Sequence, residues 1–137
     1  MAIGTPVTLR LTIEDPVPGV AYSLCNKANH PVGRQDATDA PLSFDVPVRV
    51  APGPRWLGDF VRAEGPTRRF VYISIGTAAG DFASCWSRRA KIDIQDIPAE
   101  LVARAEGGAI LETIIAGRGK KGDPACATVG KSAWRVV

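Results

Sequence analysis

One histidine, one methionine and three cysteines are spread through 137 residues, so chemistry that needs clustered imidazoles or paired thiols has little to draw on. Cys25, Cys85 and Cys126 form no C-x₂-C pair, the spacing by which structural zinc sites usually gather their ligands. No apolar run approaches the roughly 20 residues of a membrane-spanning helix; the longest, AILETIIAG, is broken by Glu112. The N-terminal MAIGTPVTLR has no basic start followed by an apolar stretch, so it lacks the layout of a secretory signal, and the expected location is the cytoplasm. A block of one charge sign is also missing. The 17 basic and 14 acidic residues are interspersed, giving a net charge of +3, and specific nucleic-acid recognition has no concentrated basic stripe to support it. An odd cysteine count in a chain this long fits free thiols in a reducing compartment better than a disulfide framework.

Period-two alternation is abundant and predicts strands. VTLRLTIE puts Leu9, Leu11 and Ile13 on one face, and LSFDVPVRV puts Leu42, Phe44, Val46, Val48 and Val50 on one face. Pro47 lacks an N–H, which assigns that strand to an edge or a bulge. VAYSL reads as a short strand, residues 25–41 as a long Asn/Asp/Gly/Pro loop, and residues 51–67 as a Pro/Gly-punctuated connection. RFVYISI and CWSRRAKIDI, joined by GTAAGDFAS, read as a hairpin. IPAELVARAE is the one helical segment, with proline near its start and GlyGly at its end, and AILETII and SAWRVV close the chain as strands. The expected fold over residues 1–137 is a single all-β domain, or mainly β with one short helix: an antiparallel sandwich or partly open barrel of about seven or eight strands.

Several motifs dissolve on inspection. ACATVGKS, residues 125–132, matches a loosened phosphate-loop pattern, but only AWRVV follows Ser132. Five strand-prone residues cannot supply the helix N-terminus that holds the phosphates. A zinc site from Cys25, His30, Cys85 and Cys126 is conceivable, yet the ligands come singly, and neither metal nor cofactor is expected. A thiolate nucleophile at Cys85 or Cys126 would need His30 as its base, and this is the enzymatic alternative. G-x-S-x-G is absent, and the one acidic pair, Glu14-Asp15, only precedes a proline turn.

The strongest feature is TRRFVYISIGTAAGDFASCWSRRAKIDI, residues 67–94, with Arg68-Arg69 and Arg88-Arg89 beside its aromatic residues. In the second run, alternation places Trp86, Arg88, Ala90, Ile92 and Ile94 on one face and Ser87, Arg89, Lys91 and Asp93 on the other. A guanidinium in register with an apolar face must be rotated out by a bulge, paired, stacked on Trp86, or open to a pocket. The candidate ligand-binding residues are therefore Arg68, Arg69, Tyr72, Trp86, Arg88 and Arg89, facing a small anionic ligand or a protein partner. A homodimer formed through the C-terminal strand, residues 133–137, is a further expectation.

The segments GPRWLGDFVRAEGPTRRFVYISIG, WSRRAKIDIQDIP and GDPACATV together resemble a bacterial family of small proteins classed as a domain of unknown function, over most of the chain from about residue 9. The resemblance implies a stand-alone domain and carries over no activity, cofactor or catalytic residue.

Overall fold

Alternation in the first segment builds the strand on which one sheet is assembled. In the computed structural model, residues 4–53, 55–75, 89–116 and 133–137 are described. Their elements in chain order are β1 (Thr5–Ile13), β2 (Ala21–Cys25), β3 (Pro31–Asp36), β4 (Leu42–Ala51), β5 (Arg55–Leu57), β6 (Arg62–Glu64), β7 (Arg68–Ile75), β8 (Arg89–Asp93), α1 (Ala99–Glu106), β9 (Ile110–Ile115) and β10 (Arg135–Val136). β1 pairs antiparallel with β4 along its whole length, from Thr5 opposite Val50 to Ile13 opposite Leu42. The first sheet runs β10-β9-β1-β4-β5. In the second, β3 pairs β2 and β2 pairs β7, while β6 and β8 also pair β7.

The two sheets share one core. Leu9, Leu11, Phe44, Val46 and Leu111 from the first meet Tyr22, Leu24, Val71, Ile73, Ala90 and Ile92 from the second, all buried. Each large side chain among them contributes roughly 1.5–3 kcal/mol by leaving water. α1 carries the chain from the second sheet to the first and buries Val102 and Ala105. Gly107 and Gly108 end it, the latter at φ +108°, a conformation that a side chain would strain.

The mainly β sandwich with one short helix is therefore the observed architecture, with ten strands among the described residues. The additional ones are short or irregular. β3 lies inside the segment expected to be a loop; it is exposed on both faces and contains Gly33 at φ +74°, so it carries no apolar period. β5 and β6 have three residues each inside the Pro/Gly-rich connection. One pairing departs from the antiparallel expectation: β9 runs parallel to β1, with Thr8 opposite Ile110 and Ile13 opposite Ile115, because the helix returns the chain to the Thr8 end of β1. Pro47 meets its edge requirement locally. β5 pairs β4 only from Arg49 to Ala51, so among the described residues no strand lies beside Pro47 on the side away from β1. No helix among the described residues is long and apolar enough to cross a membrane.

The outer face of the first sheet carries a row of alternating charge, Asp45, Arg10, Glu112, Arg135, fixed by the registers of four adjacent strands. Arg10 grips Asp45 with two hydrogen bonds, Nε to Oδ1 at 2.7 Å and Nη2 to Oδ2 at 3.1 Å. Arg135 donates to Glu112 from Nη2 at 2.6 Å and from Nε at 3.0 Å, and the Thr12 hydroxyl donates to the other oxygen at 2.8 Å. The bond from Arg135, then that from Thr12, hold the Glu112 carboxyl below its usual range. Its folded pKa lies below the unfolded one, so the contribution is present above the unfolded value of about 4.3 and is lost as pH falls through the folded value. Glu112→Gln is accordingly expected to lose about 1 kcal/mol near pH 7 and to unfold with a weaker pH dependence than the parent below pH 4.3, as read by urea titrations at several pH values.

Candidate functional site

β7 presents its residues to the two sides of its sheet in turn, and the arginine pair is divided by this. On the outer side, Phe70 and Tyr72 cluster with Cys25 and are buried. The Tyr72 hydroxyl donates to Glu64 of β6, and Lys91 of β8 reaches the same carboxylate at 2.8 Å while its ammonium lies 4.2 Å from the Phe70 ring centre. Arg68 belongs to this network. It pairs with Asp93, whose side chain is 2% exposed, and its guanidinium lies 5.5 Å from the Phe70 centroid. The second oxygen of Asp93 accepts the Gln95 backbone N–H at 2.8 Å. Arg68 and Tyr72 are thus committed to partners that the fold itself supplies.

Arg69 leaves by the opposite side and meets no carboxylate among the described residues. Its Nη1 donates to two backbone carbonyls, those of Arg68 at 2.8 Å and Gly65 at 3.5 Å. It lines a cavity of about 390 Å³ together with Lys27, Trp56, Leu57, Gly58, Val61, Arg62 and Ala63. Both sheets contribute: Trp56 and Leu57 come from β5, Arg62 and Ala63 from β6, Arg69 from β7. Lys27 is delivered by the turn between β2 and β3. There the Asn26 Oδ1 accepts the N–H groups of Ala28 and His30 at 2.9 and 3.0 Å, and Asn29 takes up φ +62°, which asparagine tolerates better than most residues. The turn is tied to the cavity wall by the Lys27 N–H, which donates to the Asp59 carbonyl at 2.7 Å, and by Arg62, which donates to Asn29 and lies 5.5 Å from the Tyr72 ring centre. Gly58, at φ +146°, lets the wall pass close to β4: a Cβ there would sit 3.4 Å from the Pro47 carbonyl oxygen.

Lys27 and Arg69 bring charge to this cavity, while Arg62, which also lines it, stands opposite Phe70 with its guanidinium over Tyr72 on the other face of the sheet; no acidic side chain is among the described lining residues. Beneath the cavity, the indole Nε1–H of Trp56, a residue only 1% exposed, is buried without a hydrogen-bond partner among the described residues. An unmet buried donor costs about 1–3 kcal/mol and calls for a specific explanation.

Of the residues singled out in the sequence, Arg68 and Tyr72 share the outer network, and Arg69 alone enters the cavity. Arg89 is in register with Ser74 of β7. Trp86 and Arg88 lie outside the described residues, as do Cys85, Cys126 and the GKS motif. Lys27, Trp56 and Arg62 escaped the sequence reading because they come from three segments with no shared period; the one local signal was the asparagine-bounded turn NKAN that presents Lys27.

A family model described as a family of unknown function, DUF5990, matches residues 7–137. The chain belongs to DUF5990. No curated protein and no solved structure matches it. The resemblance noted in the sequence is thereby borne out as a family of unknown function.

One expectation for this DUF5990 chain is overturned. Cys25 is not a free thiol but is disulfide-bonded. It is wholly buried on β2 against Phe70 and Tyr72, and neither odd cysteine count nor local sequence revealed that a second thiol would meet it. Cys25 is therefore no zinc ligand, and no group of three metal-binding side chains occurs among the described residues. His30, the proposed base, is exposed in the turn after β2.

Two outcomes are expected. Asp93→Ala should cost about 1–3 kcal/mol in urea unfolding, since the Gln95 N–H and Arg68 lose a buried acceptor, whereas Arg69→Met should change stability by less than about 0.5 kcal/mol. Thiol titration of the unfolded, unreduced chain should find one reactive cysteine and after reduction three, and reduction should lower stability by about 2–4 kcal/mol.

Proposed function

We propose that this chain is a non-enzymatic binding module for a small anion, held by Lys27 and Arg69 in the cavity between the sheets. The observation that carries this reading is the division of the arginine pair. Arg68 is neutralised by a buried carboxylate, while among the described residues Arg69 is held by carbonyls alone and faces a cavity that it shares with Lys27 and no acid. Charges of one sign beside one concavity repel one another, and an anion relieves that repulsion while taking charge-assisted hydrogen bonds. The volume lies within the roughly 300–1,000 Å³ of small-molecule sites. Arginine suits the role because its fork binds carboxylate or phosphate through two parallel bonds.

Of the hairpin expected from RFVYISI and CWSRRAKIDI, proposed as the contact surface over residues 68–91, β7 contributes Arg69 to this site; the other contributions come from the neighbouring strands and turn. The test is a thermal-shift screen against carboxylates, phosphate, sulfate and acidic sugars. A ligand at one hundred times its Kd stabilises the native state by about 2.7 kcal/mol, a rise in Tm of about 5–10 °C for a chain of this size. Arg69→Met should weaken binding about 10- to 100-fold, and Arg68→Met should leave it within a factor of about 3. An absence of any anion-induced shift, or equal losses in the two variants, would refute the assignment.

A further inference from the structure

We infer that the anion is a small organic acid with an apolar body rather than an inorganic ion or a nucleotide, a conclusion that rests on the anion-binding reading above. The cavity has two characters. Lys27 and Arg69 supply charge, while Leu57, Val61 and Ala63, with the bare backbone of Gly58, supply an apolar wall. An inorganic ion meets the first and gains nothing from the second. It would also keep much of its hydration, because the room available exceeds what phosphate or sulfate fills. An alkyl or aryl carboxylate uses both, since its body removes apolar surface from water at about 25 cal/mol per Å² while its head group takes the guanidinium fork.

A nucleotide is disfavoured on two counts. At about 390 Å³ the cavity stands near the lower end of ligand sites. Its positive charge is also supplied by long side chains, and among the described residues no row of backbone N–H groups at a helix start or glycine-rich loop forms part of its lining to cradle a polyphosphate.

Calorimetric titration of the full chain with benzoate, 3-phenylpropanoate and octanoate, with their uncharged amides, and with acetate and inorganic phosphate separates the possibilities. At least one of the larger carboxylates is expected to bind tenfold or more tighter than acetate and phosphate, with its amide not binding detectably. Ala63→Leu, which fills part of the apolar wall from an exposed position and leaves the cations in place, is expected to weaken that carboxylate at least tenfold. If phosphate binds as tightly as the best carboxylate, or Ala63→Leu is without effect, the organic-acid assignment is overturned while anion binding stands. If amides bind as well as acids, or no anion binds at all, the cations have no such role and both readings fall.

Discussion

Successive side chains leave a strand by opposite faces, and the functional geometry of this protein depends on that constraint acting at β7. Two adjacent arginines cannot share a task there. Arg68 goes to the side where β8 offers the buried Asp93, and a buried carboxylate without a cation would be costly enough to threaten the fold. Arg69 goes to the side lined by β5 and β6, where the described residues provide carbonyls but no counter-charge. One register therefore produces both a structural ion pair and a ligand-facing cation. The aromatic residues follow the same rule: Phe70 and Tyr72 accompany Arg68 outward, while Val71 and Ile73 enter the common core.

The two sheets handle charge in different ways. On the first, Asp45, Arg10, Glu112 and Arg135 alternate across four strands, so each charge has an opposite neighbour and the face needs no ligand. On the second, the outer network is similarly closed by Glu64 and Asp93. Against these balanced faces, the cavity stands apart as a place where Lys27 and Arg69 meet with no acid among the described lining residues. That contrast, more than the mild net charge of the chain, distinguishes a candidate site from a solvated surface.

The long strands were legible because burial on one face forces alternation: β1 and β4 show it over nine and ten residues, and α1 announced itself by its proline start and glycine end. β3 was not legible because neither of its faces is buried, so no periodicity was imposed on its sequence. β5 and β6 are too short for a period to register. The parallel pairing of β9 was hidden for a different reason, since alternation fixes faces but says nothing of direction or partner. The site was legible only in part. The arginine pairs drew notice to β7, but which arginine is silenced depends on Asp93 and on the register with β8, and Lys27, Trp56 and Arg62 converge only through tertiary structure.

The parallel pairing of β1 with β9 joins residues a hundred positions apart, as in the bond from Thr12 to Glu112. During synthesis, β1 can find β4 soon after emerging, but its other edge has no partner until nearly the whole chain has been made. Closing so large a loop is slow compared with hairpin formation, and in the interval that edge presents unpaired N–H and C=O groups to any neighbouring chain. The polar residues Thr8, Arg10 and Thr12 on the outer face of β1 thus acquire a second use, as solubilising guards for a strand that must wait for its last partner.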